Sequence, residues 1–589
     1  MKQFFKFMFA SFFGVILAGI VMIVILFSMF AMIIFASSKS EPKIKDESVL
    51  VLKLDKPIYD REISSLSLTY DMSEGGFSSN TTIGLTEFIT VINRAKNDDK
   101  IKAILLDLSY IQAAGWASIE EIREVLESFK ASDKKIYAYS DSYTQNAYYL
   151  STVADEIYLN PVGHIELKGL GGEVMYLKDM FKKFDIDIDL IRPENNAYKS
   201  AGEAFISTKM SDENREQIKA YLGSIWDYLA HNMSKSRDMD IDVLNNNVSS
   251  LSAFMPKDAL ENKFVDQLIF RTDLQKKIGK DLKNEKVKYL SYAKYRNSIT
   301  DLFSSSKDKI AVIYAYGGVN QGKSGDISIG SETIVKEIRK AVDNKSVKAI
   351  VLRINSGGGD AIASELMTNE VFKAREVKPL IVSMGDVAAS AGYEMAAGAT
   401  KIVAMPITIT GSIGVFGMLP NFSNALKKNL GINFDTVKTH NNSTFLTVTT
   451  KVSSDSRMMM QRNVEEFYTN FITRVADGRN LKVDFVDSIA KGRVWSGKDA
   501  KSLGLVDEFG GISKSIEIAA KEAGISDYSI LMMPKSKDIT QQLLDALGGD
   551  LNERLYTKSL GKHYNYFLEI KDITEMQGVQ ARMPYMISF

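Results

Sequence analysis

The chain has 589 residues, enough for three or four domains, and its composition, 45% hydrophobic and 25% charged, is that of a folded protein. Lys plus Arg and Asp plus Glu both number 73, so the formal net charge is zero and there is no basic excess to suit a nucleic-acid partner. Cysteine is absent, which excludes thiol catalysis and disulfides, and the four histidines (His164, His231, His440, His563) show no metal-ligand spacing, so no metal site is expected.

The first predicted element is an apolar run. Residues 1–6 are a short end carrying Lys2 and Lys6, and residues 7–36 contain no charged side chain. A membrane span needs about 20 apolar residues and a signal-peptide core only about 7–15, so 7–36 reads as a single-pass transmembrane anchor. The two lysines before it keep the short end in the cytoplasm by the positive-inside rule, which puts the body outside. Residues 37–48, with Glu41, Pro42 and Lys45, form a polar linker.

The body contains an internal repeat, with a first copy at 49–303, a linker at 304–309 and a second copy at 310–546. Ile83-Gly84, a helical pattern and Lys102-Ala103-Ile104-Leu105-Leu106-Asp107-Leu108 return as Ile329-Gly330, a helical pattern and Lys348-Ala349-Ile350-Val351-Leu352-Arg353-Ile354. Ala154 to Pro161 matches Ala399 to Pro406, and Lys257-Asp258-Ala259 matches Lys498-Asp499-Ala500. Each copy alternates short apolar runs with amphipathic segments, the pattern of an α/β fold with a mostly parallel sheet. Val351 to Ile354 and Leu380 to Met384 read as buried strands. Ala361 to Ala374 reads as a helix with Asp360 as its N-cap. Residues 547–589 are a tail without a counterpart in the repeat.

Three segments carry chemistry. Tyr198-Lys199-Ser200-Ala201 lies in the first copy; a lysine is ordinarily a solvated surface residue, and serves as a base near neutral pH only if burial lowers its pKa. Asn355-Ser356-Gly357-Gly358-Gly359-Asp360 follows a buried strand; its glycines expose N–H groups suited to an oxyanion, or simply make a tight strand-to-helix turn. Ser383-Met384-Gly385-Asp386-Val387-Ala388-Ala389-Ser390-Ala391-Gly392-Tyr393 sets Ser390 among small residues, as a nucleophile or as an N-cap. The matching place in the first copy falls near Gln145, so only the second copy offers a candidate nucleophile.

These segments, with Gly411-Ser412-Ile413-Gly414 and Gly492-Arg493-Val494-Trp495, resemble the long, two-copy form of bacterial signal peptide peptidase A, from the anchor to about residue 515. The resemblance implies tandem Clp protease/crotonase-like α/β domains behind an N-terminal transmembrane helix. It implies Ser390 as nucleophile, Lys199 as general base, Ser412 as the residue that orients the lysine, and Gly358 and Gly359 as oxyanion-hole donors. It implies no cofactor, released signal peptides as substrates, a homo-oligomer (a tetramer) and a place in the bacterial inner membrane with the body on the periplasmic side. Two positions depart from the family pattern: Gly357 stands for proline and Ala391 for glycine. Two rival readings remain at this level. One is a crotonase-like acyl-CoA enzyme, which needs no Ser–Lys pair; the other is a non-catalytic membrane scaffold.

Overall fold

The structure, a computed structural model, describes residues 2–37, 44, 46–71, 76–112, 114–284, 287–303, 305–535 and 579–583. Most of the 547–589 tail and Ser304 of the predicted linker therefore lie outside the described residues. The N-terminus is one helix, Lys2–Ser37, whose segment Gln3–Met22 is long and apolar enough to cross a membrane. None of that segment is buried against the rest of the protein.

The repeat is visible in strand order. In the first copy the parallel sheet runs Gln267–Leu268, Glu156–Leu159, Lys135–Ser140, Ile101–Asp107, Ser48–Lys53, Lys288–Ser291. In the second, Glu508–Phe509, Lys401–Ala404, Leu380–Ala389, Val347–Ser356, Lys309–Tyr316 and Ser529–Met533 follow the same order, again all parallel. Helices cover these strands, which is why they read as continuous apolar runs: Ile350, Val351, Leu352 and Ile354 are all fully buried. The second copy adds two short strands, Ile409–Gly411 and Val494–Ser496, beside the C-terminal half of Leu380–Ala389.

The two copies share one packed boundary. A hydrophobic cluster runs continuously from Leu50 and Phe88 of the first to Val312 and Ile512 of the second. At its centre the Arg353 guanidinium, 1% exposed, bonds Asp60 Oδ1 and Glu121 Oε1, each at 2.7 Å. Burial disfavours the Arg353 charge, but the two first-copy carboxylates outweigh it and hold its pKa above the ordinary arginine value. Glu121 also accepts from the Ile512 N–H at 2.7 Å, and Asp386 accepts from the N–H and hydroxyl of Ser118 at 2.8 and 2.7 Å. A third sheet crosses the boundary in the order Ser328–Gly330, Gly318–Asn320, Gly358–Asp360, Val579–Arg582, Phe416–Asn421, Asp187–Ile191. Its last strand belongs to the first copy and pairs antiparallel with Phe416–Asn421 over five residues.

Removing Arg353 leaves two buried carboxylates without their cation, so Arg353→Met is expected to destabilise the protein by about 3–5 kcal/mol. Urea unfolding of the two proteins at pH 7 measures this. A cost under about 1 kcal/mol would mean that the triad contributes little to joining the copies.

Candidate active site

The strand Asp187–Ile191, anchored on the second copy, delivers the segment 192–202 across the boundary. Several bonds fix that segment: the Tyr198 N–H donates to Lys491 O at 3.1 Å, and the Arg192 guanidinium to Lys199 O at 2.9 Å. Gln217, from the helix Asp212–Arg237, donates its amide N–H to Tyr198 O at 3.0 Å and accepts the Val494 N–H at 3.0 Å. Arg493 stacks over the rings of Tyr198 and Trp495. Gly492 has φ +76°, and a Cβ there would lie 2.5 Å from Lys199 Cβ, so both its conformation and the lysine require glycine.

Ser390 ends the strand Leu380–Ala389 and precedes the short helix Ala391–Ala397. It stands at an N-cap position, yet its side chain makes no cap hydrogen bond. Its φ of 56° with ψ of −120° is strained for a residue with a Cβ. Its N–H is held by Gly411 O at 2.8 Å, and Glu394 N–H returns to its carbonyl at 2.9 Å. This geometry turns the hydroxyl toward the first copy.

The two segments meet. Lys199 Nζ lies 2.8 Å from Ser390 Oγ, and 3.1 Å from both the carbonyl oxygen and the hydroxyl of Ser412. Lys199, Ser390 and Ser412 are each fully buried. Burial alone pushes the Lys199 pKa well below the usual lysine value; no carboxylate contributes to the shift. A neutral amine has two donors and one lone pair, which match the two Ser412 oxygens and the Ser390 hydroxyl in turn. The arrangement can therefore take a proton from Ser390.

Of the two glycines singled out from sequence, Gly358 (φ +103°) adjoins the serine: a Cβ on it would lie 3.0 Å from Ser390 Cβ and 3.1 Å from Ala391 N. Gly359 pairs with Val319 on the neighbouring strand. The Gly358 N–H bonds Ser356 Oγ at 3.1 Å. Sequence reasoning did not single out Gln217 or the Ala391 N–H, and it placed Gly492 and Arg493 within the family resemblance without a role at the lysine. It also missed Asn196, buried beside Gly414 with neither amide atom paired. Nothing in their spacing sets these residues apart.

Among its described residues the first copy has no such centre. Gln145 begins the helix Gln145–Ser151, and its amide oxygen accepts from the N–H groups of Lys168 and Gly169 at 3.0 and 2.9 Å. Gln112 lies in the loop after the strand Ile101–Asp107, and its N–H donates to Leu54 O at 2.8 Å. Gln145 and Gln112 line a cavity of about 540 Å³. Among the described residues no group of three His, Asp or Glu is placed to hold a metal ion.

The sequence matches a family profile described as Peptidase family S49 over residues 128–285 and 373–526. It is 33% identical over 542 residues to "Protease 4" of Haemophilus influenzae, covering 88% of this chain and 86% of that one. It is 31% identical over 518 residues to "Serine protease SPPA, chloroplastic" of Arabidopsis thaliana, covering 86% and 74%. Among solved structures it is similar to ClpP1 from Listeria monocytogenes, at 14% identity and a TM-score of 0.21, covering 34% of this chain and 91% of that one.

The lowered lysine pKa has a consequence for stability. Between its folded pKa and the value of about 10.4 in the unfolded chain, Lys199 is neutral when folded and protonated when unfolded. The unfolded state then binds the extra proton, so this residue makes stability rise with pH, by up to about 1.4 kcal/mol per unit. Relative to Lys199→Met, the wild type should gain stability from pH 7 toward pH 10 in urea unfolding. Parallel profiles would show that the folded protein keeps this amine charged.

Proposed function

The chain belongs to peptidase family S49 and is a serine peptidase, and from that premise we propose that it hydrolyses apolar peptides, released signal peptides foremost, with Ser390 as nucleophile and Lys199 as general base. The observation that carries this reading is the 2.8 Å contact between a fully buried amine, its pKa lowered by that burial, and a strained serine hydroxyl. A serine hydroxyl is a weak nucleophile until a base takes its proton. Lys199 accepts that proton as Ser390 Oγ attacks the scissile carbonyl, forming a tetrahedral intermediate. Backbone N–H groups at Gly358 and Gly359 receive the oxyanion, and the neighbouring Ala391 N–H is a further donor on the nucleophile's side. The ammonium of Lys199 then protonates the leaving amine, and the acyl group remains on Ser390. Water, deprotonated by the same lysine, hydrolyses the ester and restores both residues. Ser412 keeps the amine aimed at Ser390 throughout. The crotonase-like alternative has no use for this pair.

In this proposal the apolar N-terminal helix anchors the protein in the bacterial inner membrane, with Lys2 and Lys6 inside and the body on the periplasmic side. An anchor beside the catalytic body suits apolar peptides leaving the bilayer. The protein assembles as a ring, a tetramer, in which first and second copies alternate. Support comes from the second-copy segment at residues 431–453, the counterpart of the one that bears Lys199. It leaves Phe434, Val437, Phe445 and Leu446 exposed, whereas the first-copy segment closes over a nucleophile turn. A heterologous contact of this kind repeats until it closes.

Ser390→Ala and Lys199→Ala should each lower hydrolysis of an apolar peptide by about 10⁴-fold without loss of folding. Near-normal turnover by either variant overturns the dyad. The body from Glu47 onward should be soluble and active without detergent. Mass measurement should return a tetramer, and a serine-reactive probe should label one site per chain. An active monomer would refute the ring, and two labelled serines per chain would refute the division of roles.

A further inference from the structure

The first copy keeps a cavity beside Gln145, where it lacks a nucleophile. Its volume of about 540 Å³ lies within the usual range of ligand pockets, about 300–1,000 Å³. Ile111 and Gln112 reach it from the loop after Ile101–Asp107, and Gln145 and Asn146 from the start of the helix after Lys135–Ser140. Leu170 and Gly171 reach it from the segment between Ile165 and the helix Lys178–Lys183, which belongs to no helix or strand. The first two pairs follow the C-terminal ends of parallel strands, as Ser390 follows Leu380–Ala389. Ligands of parallel α/β sheets bind in crevices outside those ends.

The lining carries hydrogen-bonding groups without net charge. The one acid and the one base among its described residues, Glu166 and Lys168, face each other at 3.5 Å. Asn146 spends one N–H on Ala114 O at 3.2 Å, so its second N–H and its amide oxygen remain for a ligand. The N–H groups of Leu170 to Tyr176 donate to no backbone carbonyl among the described residues, so this segment is an open main-chain edge. No activated nucleophile faces the cavity from the described residues. Gln145 is committed to Lys168 and Gly169, and the Thr144 hydroxyl oxygen accepts from the Ala147 N–H at 3.4 Å.

Resting on the reading that this peptidase acts on apolar peptides, we propose that the first-copy cavity is a second peptide site, which holds a stretch of the same substrates in extended form and does not cleave it. The open edge from Leu170 to Tyr176 takes the peptide by strand addition, which draws on backbone hydrogen bonds and accepts many sequences. Ile111 and Leu170 give its side chains apolar contact, and Gln112 and Asn146 meet its remaining main-chain groups. The loop that bears Gln112 also reaches the nucleophile's strand: a Cβ on Gly115 would lie 2.0 Å from the Asp386 carboxyl carbon. A long peptide held in the cavity meets Ser390 at an effective concentration set by its own length, so long substrates bind more tightly than short ones.

The test uses the full chain and two variants that fill the cavity, Gly171→Trp and Gln112→Trp. A Cβ on Gly171 meets nothing within 4 Å, and Gln112 is exposed, so both variants should fold. The probe is an apolar peptide as long as a membrane span, about 20 residues, that carries a benzophenone. After fluorophosphonate treatment has stopped hydrolysis, photolysis and peptide mapping should place adducts on residues 108–115 or 166–176. Both variants should lose those adducts. Untreated, both should show a KM for the long peptide raised about tenfold, with kcat and the turnover of a short reporter unchanged. Adducts confined to the second copy would overturn the inference, and so would adducts that persist in both variants. A cavity that yields no adduct because a neighbouring copy of the chain fills it would overturn it as well. The fluorophosphonate step reads the underlying chemistry separately: no labelling of Ser390 would overturn the dyad, whatever the map shows.

Discussion

A fully buried lysine amine 2.8 Å from a serine hydroxyl is the constraint around which this molecule is organised. Keeping an amine neutral requires removing it from water and keeping carboxylates away, since one nearby acid would restore its proton. Burial is the sole cause lowering the Lys199 pKa, so the walls around it must be complete and free of charge. Closing the cavity takes a second unit, and the first copy supplies the lid with the lysine on its inner side. The second supplies the floor, with Ser390, Ser412 and Gly492.

That requirement explains the polar groups buried at the boundary. Arg353 reaches across the interface to two buried carboxylates, and Glu121 and Asp386 each accept further bonds from the opposite copy. Such groups are costly to bury and are tolerated where every partner is in place. They therefore set the relative position of the copies within narrow limits, which a 2.8 Å contact between residues 191 positions apart in sequence demands. The strained backbone of Ser390 is tolerated in the same way: its cost of about 1–3 kcal/mol is offset by well-packed surroundings, and it turns toward Lys199 a hydroxyl that would otherwise cap a helix.

Duplication kept the frame and divided the chemistry. The two parallel sheets have the same strand order, yet the first copy has Gln145 near the place where the second has Ser390. Gln145 commits its amide oxygen to the loop at Lys168 and Gly169. The first copy thus keeps the lysine segment without the nucleophile.

The sequence by itself determined the repeat, the parallel α/β frame, the apolar N-terminal helix and the short segments around Lys199, Ser390 and Gly358. Each of these is written in local periodicity or in runs of small residues, as with Ile350 to Ile354 and the helix capped by Asp360. The fit to a family motif brought Lys199 forward, because a lone lysine in a polar segment has no local signature of burial. Only the tertiary structure decided that Lys199 is fully buried, that Ser390 leaves its helix uncapped, and that Gln217, Gly492 and Arg493 shape the lysine segment. It alone placed Val579–Arg582 between Gly358–Asp360 and Phe416–Asn421. The physical reason is common to all of these. Desolvation and strand pairing depend on which distant segments come together, and a linear pattern of residue types carries no record of that until the two copies are packed.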